Sequence, residues 1–520
     1  MSRHAVRIAV TVAATLSLAV LGPPVQAQDT PSAQELADLR ARAEAGQADA
    51  QTNLAFMYAS GDGVLEDDGE AARWFRLAAE QGHPDAQTGL GWSYLNGEGV
   101  QQDDAEAIVW FRLAAEQGFA SAQFSLGWMY HWGRGVTHDD AEAAAWYRKA
   151  AEQGLAIGQY NLGRMYAGAL GVPRDAVEAA RWWRLAAEQS HADAQFNLGN
   201  TYYLGRGVPR DTAEAVRWYR LAAEQGHADA QFNLGTMYDD ALGVPENAAE
   251  AVRWYRLAAE QGDARAQIKL GLMYSDGRGV PPDAAEAIRW YRLAAEQGDA
   301  SAQLAVGARY FNGVGVPQDA TEAIRWYRAA AEQGFADAQF ILGLLYSVGA
   351  GVSQDDAEAV AWVRLAAEQG HADAQFNLGG LYATGEFGVS QDAAEAVQWY
   401  RLAAEQDLAA AQFALGLAHA TGGGVPQDAA KAVRWYRLAA EQGDADGQYS
   451  LGYMYANGQG VPQDDVEAHI WLNLAASRLT GDQRERAVAA REVVAARMTS
   501  ADLSEAQRRA REWHATHLEP

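Results

Sequence analysis

A tryptophan recurs every 36 residues through most of this 520-residue chain. Nine successive tryptophans from Trp74 to Trp362 keep this spacing, and the series continues at Trp399, Trp435 and Trp471. The one 37-residue step ends at Trp399, where the loop TGEFGVS is one residue longer than sister loops such as NGEGVQ. A fixed period of this length is typical of stacked small units, so the chain is predicted to contain twelve repeats and not one large core.

Each repeat predicts two short helices. In one copy, Asp211 and Glu214 form an Asp-x-x-Glu capping box at the start of the first helix, and Trp218 lies on its apolar stripe. Gly226 marks the end of this tryptophan helix. The second, leucine–glycine helix contains Gly235, which costs about 1 kcal/mol relative to alanine in a helix. Because nearly every copy keeps this glycine, we expect a neighbouring helix to approach closely there.

Two short helices cannot bury a core alone, whereas stacked copies can. We therefore expect an all-α fold, a right-handed α/α superhelical solenoid of twelve helix-turn-helix repeats with a helical cap at each end. The predicted organisation is a secretory signal peptide at 1–27, an N-terminal capping half-repeat at 28–46, the twelve repeats at 47–478 and a C-terminal helical cap at 479–520.

The N-terminus has the features of a secretory signal. Arg3 and Arg7 precede an apolar run at 8–21, which is short for a transmembrane helix. A Gly-Pro-Pro break and a small-x-small site ending at Ala27 follow. We expect cleavage after Ala27 and a periplasmic or secreted mature chain without a transmembrane segment; an uncleaved membrane anchor is the alternative.

Composition argues against several functions. The net charge of −27 makes nucleic acid an improbable partner, and the lack of cysteine excludes disulfides and thiolate chemistry. The chain has no His-Glu-x-x-His, Gly-x-Ser-x-Gly or P-loop motif. His514 and His517 lack a third ligand, and acid pairs such as Asp103 and Asp104 lie where helix caps are expected. The chain is predicted to be no enzyme and to bind no cofactor or metal.

The repeat resembles the Sel1-like repeat family, which is related to tetratricopeptide repeats. The matching pattern, from about Gln47 to Ser477, is A-x-A-Q-x-x-L-G-x-x-Y-x-x-G-x-G-V-x-x-D-x-x-x-A-x-x-W-x-x-x-A-A-E-Q-G. The resemblance implies an α/α superhelix that acts as a protein-interaction scaffold, often secreted or periplasmic in bacteria, with no shared catalytic residues. Some members pair cysteines within each unit, and this cysteine-free chain does not match that branch.

The twelve copies can be compared column by column. Columns that are the same in every copy, such as that of Trp218, are predicted to be core. Three positions of each leucine–glycine helix define an open face, which is polar in a middle copy at Asn233, Thr236 and Asp240. Near the N-terminus this face holds Ser125 and a set of aromatic candidates for partner binding, namely Phe56, Trp92, Trp128, Trp132 and the adjacent His131.

These rings have three possible roles: anchoring a protein, stacking on a sugar, or packing against one another. Arg164, on the same face, is a candidate for holding a carboxylate. Ile341, Leu344 and Val348 form an aliphatic triple that marks a contact site unless a small helix tilt buries it. The predicted function is a non-catalytic scaffold that binds a protein or peptide in its groove. The alternative is a glycan- or peptidoglycan-binding module that uses the groove tryptophans.

Overall fold

The computed structural model describes residues 32–517, and within that range it contains 27 helices joined by short turns and no strand. The chain divides into two compact units, Met1–Ala266 and Gln267–Pro520, which are described separately. The predicted signal peptide at 1–27 lies outside the described residues.

In the first unit, an N-terminal helix α1 (Ala33–Glu44) precedes alternating leucine–glycine and tryptophan helices. The leucine–glycine helices are α2 (Ala48–Ser60), α4 (Pro84–Asn96), α6 (Ala120–Trp132), α8 (Ala156–Gly168), α10 (Ala192–Leu204) and α12 (Ala228–Asp239). The tryptophan helices are α3 (Asp68–Glu80), α5 (Asp104–Glu116), α7 (Asp140–Glu152), α9 (Ala176–Glu188), α11 (Thr212–Glu224) and α13 (Ala248–Glu260).

The second unit continues the alternation and ends in two further helices. Its leucine–glycine helices are α14 (Ala264–Asp276), which contains the unit boundary, α16 (Ala300–Asn312), α18 (Ala336–Val348), α20 (Ala372–Thr384), α22 (Ala409–Thr421) and α24 (Ala445–Asn457). The tryptophan helices are α15 (Ala284–Glu296), α17 (Ala320–Glu332), α19 (Asp356–Glu368), α21 (Ala393–Ala404), α23 (Ala429–Glu441) and α25 (Asp465–Arg478). The last two are α26 (Gly481–Ala495) and α27 (Ser500–His517). The prediction of an all-α solenoid is confirmed.

The tryptophan helices begin at aspartate caps, but the expected reciprocal box does not form at Asp211. Its carboxylate accepts from the backbone N–H groups of Ala213 and Glu214 at 3.0 Å. Glu214 pairs instead with Arg217 at 3.1 Å, and that guanidinium lies 4.7 Å from the ring centroid of Trp218. The glutamate therefore positions an arginine over the buried tryptophan.

The repeated columns form the core, as predicted. Trp218 is buried and packs in one cluster with Ala186 and Leu198 of the preceding repeat. Seven of the twelve repeat tryptophans are buried and the other five are partly buried. Because each tryptophan reaches into the preceding repeat, the core is continuous between neighbouring repeats within a unit.

The helical glycine marks a close approach, which confirms that expectation. A Cβ atom placed on Gly235 would lie 2.7 Å from Cδ1 of Tyr255, the ring of the following tryptophan helix. Real Cβ atoms almost never come this near another heavy atom. The glycine thus lets an aromatic side chain lie flat against the helix backbone.

A glutamine ladder joins successive repeats. The side chain of Gln195 is buried, donates to the carbonyl of Ala187 at 3.1 Å and accepts from Nε2 of Gln225 at 2.6 Å. The same donation from a helix-end glutamine to a buried one recurs in both units, at pairs 81–51, 117–87, 153–123, 189–159, 261–231, 297–267, 333–303, 369–339, 406–375 and 442–412. These bonds satisfy buried amides and hold the repeats in register.

The C-terminal helices cover the last tryptophan helix. Ile470 replaces the arginine found at Arg434 in the sister helix, and it packs in one cluster with Ala506 and Ala510 of α27. Leu474 is 3% exposed, whereas its counterpart Leu438 is 42% exposed. Helix α25 thus presents an apolar face that α27 buries. None of the helices within 32–517 has the combination of length and apolar character that a bilayer crossing requires.

Candidate functional site

The aromatic candidates nearest the N-terminus are half-buried. Phe56 on α2 packs edge-to-face on Phe75 of the next helix, with ring centroids 5.0 Å apart. Trp92 on α4 packs in the same way on Phe111 at 5.4 Å. Each ring therefore uses one edge or face for packing on the following tryptophan helix, and only the remainder reaches solvent.

Trp128 packs against the hydrophobic core, although its column is predicted to lie on the open face. Its ring packs against two hydrophobic clusters, one containing Phe111 and the other Tyr147. The expectation that this column lies outside the core is therefore wrong for Trp128, because a large ring fills the space beside the aromatic side chain of each tryptophan helix. Ser125, predicted to be open, is buried, and its hydroxyl donates to the carbonyl of Ser121 at 2.9 Å.

Trp132 is the exposed member of the aromatic set. It ends α6, and 46% of its surface is accessible. The ring of His131 meets it edge-on at 4.9 Å between centroids. His131 Nδ1 lies 2.6 Å from a carboxylate oxygen of Asp140, a distance that indicates a proton on that nitrogen. Helix α7 therefore fixes the histidine against which Trp132 rests.

The loop after Trp132 is held by a second charged contact. Arg134 donates from Nε and Nη2 to the two carboxylate oxygens of Asp104 on α5, at 2.5 and 2.7 Å. This hydrogen bonding raises the pKa of the Arg134 guanidinium. A bidentate pair of this kind orients both partners. Trp132 is consequently an exposed indole that rests on His131 and precedes a loop held by the Arg134–Asp104 pair.

Arg164 is exposed on α8, but it is close to a carboxylate of the same unit. Its Nη1 donates to Asn161 at 3.3 Å, and the guanidinium lies 5.9 Å from the ring centroid of Tyr160. The pKa of Asp193 is lowered, first by a hydrogen bond with His227 and further by charges that include Arg164. Arg164 therefore remains a candidate for binding a partner's carboxylate, although the negative charge of Asp193 already balances part of its positive charge.

The aliphatic triple on α18 is divided by the structure. Ile341 is half-buried against the core cluster of this region, whereas Leu344 and Val348 are exposed. The triple belongs to the second unit and the aromatic set to the first, so they are separate candidate surfaces. Trp132 is thus the exposed side chain of the aromatic set, and Leu344 and Val348 are the exposed side chains of the aliphatic triple; the other members of each set pack partly against the core.

Sequence reasoning missed one residue, Arg309 on α16. It occupies a column that holds buried methionine in sister copies, at Met237 and Met273. Column comparison restricted to the open face does not reveal it. A single charged residue in an otherwise uncharged, largely buried column is the signal that identifies it.

The terminal histidine pair has a packing role. His517 stacks on the ring of Trp513 at 4.3 Å between centroids, and its Nδ1 lies 2.9 Å from the carbonyl of Trp513. Within residues 32–517, no group of three or more histidine, aspartate or glutamate side chains is arranged to hold a metal ion. The described surfaces offer apolar and cationic contacts.

Comparison with known proteins supports the repeat assignment. The family model described as Sel1 repeat matches twelve stretches, at 48–83, 84–119, 120–155, 156–191, 192–227, 228–263, 264–299, 300–335, 336–371, 372–408, 409–444 and 445–478. The chain is similar to the crystal structure of c5321, described as a protective antigen present in uropathogenic Escherichia coli strains and displaying an SLR fold. The identity is 38%, the TM-score is 0.75, and the match covers 86% of this chain and 95% of that one.

A second similar structure is a Sel1 repeat protein from Oxalobacter formigenes, at 34% identity and a TM-score of 0.48, covering 63% of this chain and 99% of that one. Among curated proteins, none matches this chain.

Proposed function

Because the chain belongs to the Sel1 repeat family, we propose that it is a non-catalytic scaffold that holds a protein or peptide partner on the open faces of its leucine–glycine helices. The Sel1 repeat solenoid is generally a protein-interaction scaffold, and its members are typically non-catalytic. The observation that carries the proposal is the exposure of Trp132 and Val348 in a column where other copies hold polar residues such as Asn96 and Asp240, with the exposed Leu344 one helical turn before Val348.

These exposed side chains suit binding better than folding. Aromatic anchors contribute most of the free energy at protein interfaces, and an exposed apolar residue on a polar face gains stability only when a partner covers it. Trp132 is already oriented by His131, so little side-chain entropy is lost when a partner covers it.

We propose that the scaffold acts in the periplasm or outside the cell. The proposal rests on the sequence pattern at 1–27, with its basic start, apolar run and small-x-small site. Cell fractionation and N-terminal sequencing of the mature protein test it. We expect Gln28 as the first residue, and an intact Met1 on a membrane-bound chain would contradict export by cleavage.

A glycan partner is the second candidate, and the exposed indole of Trp132 is what favours it, because aromatic faces also stack on sugar rings. Trp92 and Trp128 lie in the adjacent open-face column, and only part of each ring is accessible to solvent. Retention of the purified chain on peptidoglycan, abolished by Trp132→Asn, would favour this class over a protein partner.

Substitutions taken from sister repeats give a sharp test. Trp132→Asn copies Asn96, and the pair Leu344→Thr with Val348→Asp copies Thr236 and Asp240, so each variant keeps a residue that the repeat already tolerates. The control Leu221→Lys copies Lys149 and removes an exposed leucine from a tryptophan helix, away from the open face.

Each chain is immobilised and used to capture proteins from native cell-envelope extract after a thermal melt shows that it folds. We expect a protein that the unmodified chain and Leu221→Lys retain and that at least one open-face variant loses. Equal capture by all four chains would contradict the proposed binding surfaces.

A further inference from the structure

Arg309 carries a charge at a position built for an apolar side chain. Its column contains buried Met237 and Met273 in other repeats and Leu345 in the next one. Arg309 itself is half-buried on α16. A guanidinium placed between packed repeats loses part of its hydration, and such groups are normally compensated by a carboxylate.

The contacts of Arg309 leave it without a counter-charge. Its Nη2 donates to the hydroxyl of Ser275 at 3.0 Å, and the guanidinium lies 4.8 Å from the ring centroid of Tyr291. Its Nε is buried and has no hydrogen-bond partner. No carboxylate of the described residues pairs with it, and the neighbouring Asp276 is exposed to solvent.

The local tyrosine contact shows why the arginine is accommodated. In sister repeats the equivalent tyrosine bonds across to a polar residue of the open face, as Tyr255 donates to Thr236 at 3.2 Å. At the corresponding place Leu272 offers no acceptor, and Arg309 lies against Tyr291 instead. The substitution therefore places a cationic group against Tyr291, where the charge of Asp276 also acts, but no carboxylate of the described residues lies within ion-pair distance of Arg309.

Two other arginines that depart from the repeat pattern have acidic partners. Arg134 pairs with Asp104 at 2.5 Å, and Arg265 pairs with both Asp229 and Asp263 at 2.5 Å. These pairs show how the chain compensates an added charge within its own repeats. Arg309 differs because its contacts, the Ser275 hydroxyl and the Tyr291 ring, are uncharged.

We infer that Arg309 is an anchor for a carboxylate of a bound peptide segment, with an apolar side chain of the same segment resting on Leu344 and Val348. This inference rests on the proposed scaffold function. Ala308, adjacent to Arg309, and Ile341, on α18, pack against the same core cluster, so the cation and the exposed aliphatic side chains belong to neighbouring repeats of one unit. Arginine suits a carboxylate because its planar fork donates two parallel hydrogen bonds.

A carboxylate is favoured over a phosphate at this position. Arg309 is a single cation whose contacts are a hydroxyl and a tyrosine ring, in a chain whose net charge is −27. A phosphate carries more charge and is usually bound by several cations or by a helix N-terminus. An aspartate or glutamate next to a leucine-like residue matches both the charge and the apolar surface.

The test uses displayed random peptides selected on the unmodified chain. Selected peptides are synthesised, and their affinities are measured by fluorescence anisotropy for the unmodified chain, Arg309→Met and Leu344→Thr. Arg309→Met copies the sister residue Met273, so it is expected to fold, and a thermal melt checks this. We expect peptides that contain an acidic residue and that bind Arg309→Met about 10-fold to 100-fold more weakly, as the loss of a charged hydrogen bond implies.

A charge-neutral version of the selected peptide completes a double-mutant cycle with Arg309→Met. Replacing the peptide's acidic residue by its amide should weaken binding to the unmodified chain by a similar factor and leave binding to Arg309→Met unchanged. Peptides that bind Arg309→Met as well as the unmodified chain but require Leu344 would overturn the role of Arg309 and leave the scaffold proposal intact. A selection that returns no peptide would overturn this inference. The scaffold proposal would still be tested independently by the capture of proteins from cell-envelope extract.

Discussion

At the residue scale, the chain uses tryptophan in two ways that differ in what surrounds the ring. Trp218 is 5% exposed and lies in a cluster shared by two repeats. Trp128 rests on two such clusters but keeps part of its ring open, and Trp132 projects from the end of its helix. The same residue type therefore ranges from core element to exposed surface residue within one repeat pattern.

This gradient predicts graded losses of stability on substitution by alanine. We expect Trp218→Ala to lower the free energy of unfolding by about 3–5 kcal/mol, as the removal of a buried aromatic does. Trp128→Ala should cost less, and Trp132→Ala should stay within about 0.5 kcal/mol. Urea unfolding followed by circular dichroism measures all three. A loss for Trp132→Ala equal to that for Trp218→Ala would contradict its assignment as an exposed anchor.

His469 predicts a dependence of stability on pH. Its side chain is buried where the sister copy has Val433, and its Nδ1 has no hydrogen-bond partner. Burial, aided by the charge of Arg491, lowers the pKa of His469. The folded chain then binds fewer protons than the unfolded one at this site. Its contribution to stability is full above the unfolded pKa of about 6.5 and is lost as pH falls below that value toward the folded pKa.

His469→Val should therefore reduce the drop in melting temperature between pH 7.5 and pH 5, since valine removes the proton-linked loss. His514→Gln, a change at an exposed histidine, serves as the control and should leave the drop as it is in the unmodified chain. Melting curves that fall by the same amount in the unmodified chain and in His469→Val would show that this histidine does not govern acid sensitivity.

At the element scale, adjacent glycines in one helix separate packing from helix propensity. A Cβ atom on Gly379 of α20 would lie 2.8 Å from Cδ1 of Tyr400, whereas one on Gly380 would come no nearer than 3.9 Å to that tyrosine's hydroxyl oxygen. Glycine at both positions weakens the helix by the same intrinsic amount. Only the first is needed for the contact between helices.

Alanine at these positions should act with opposite sign. We expect Gly380→Ala to stabilise the chain by up to about 1 kcal/mol through helix propensity. Gly379→Ala should destabilise it, because overpacking against the Tyr400 ring typically costs about 1–3 kcal/mol. Thermal unfolding of the two variants side by side measures the difference. Stabilisation by both substitutions would mean that the helices separate easily at this contact.

At the scale of the whole molecule, the array needs a covered end because every repeat buries its face against the next. Helix α25 meets this need by replacing one charged sister residue with an apolar one and by burying a leucine that the sister helix exposes. Ile470 stands where the sister helix has Arg434, and Leu474 becomes buried in a cluster with Ala506 and Ala510 of α27. The end of the array is thus encoded in the last repeat as well as in the helices that follow it.

We therefore expect the chain truncated after Leu479 to aggregate. Removing α26 and α27 exposes Ile470, Leu474 and Leu472, which are buried in the full chain. Size-exclusion chromatography with light scattering should show aggregates. The same truncation carrying Ile470→Arg and Leu474→Lys, which copy Arg434 and Lys149, should be less aggregated. A monomeric, fully helical truncated chain would contradict the capping role.

The sequence by itself determined the periodic features of this protein. The tryptophan period, the aspartate caps, the helical glycines and the core columns each depend on interactions that every repeat makes in the same way, so twelve copies display them as repetition. Helix pairs and their core could be predicted for the same reason, since the pattern of apolar residues within one repeat specifies which face is buried.

Only the tertiary structure decided the features that depend on one particular neighbour. The partial burial of Trp128 follows from the aromatic residues packed beside it, which column comparison does not weigh, and Ser125 is buried in the same helix. The pairing of Glu214 with Arg217 in place of a reciprocal capping box is a choice between local contacts of similar energy. Arg309 is recognised as uncompensated only when the groups around it are known, because a sequence shows which charges exist but not which of them meet.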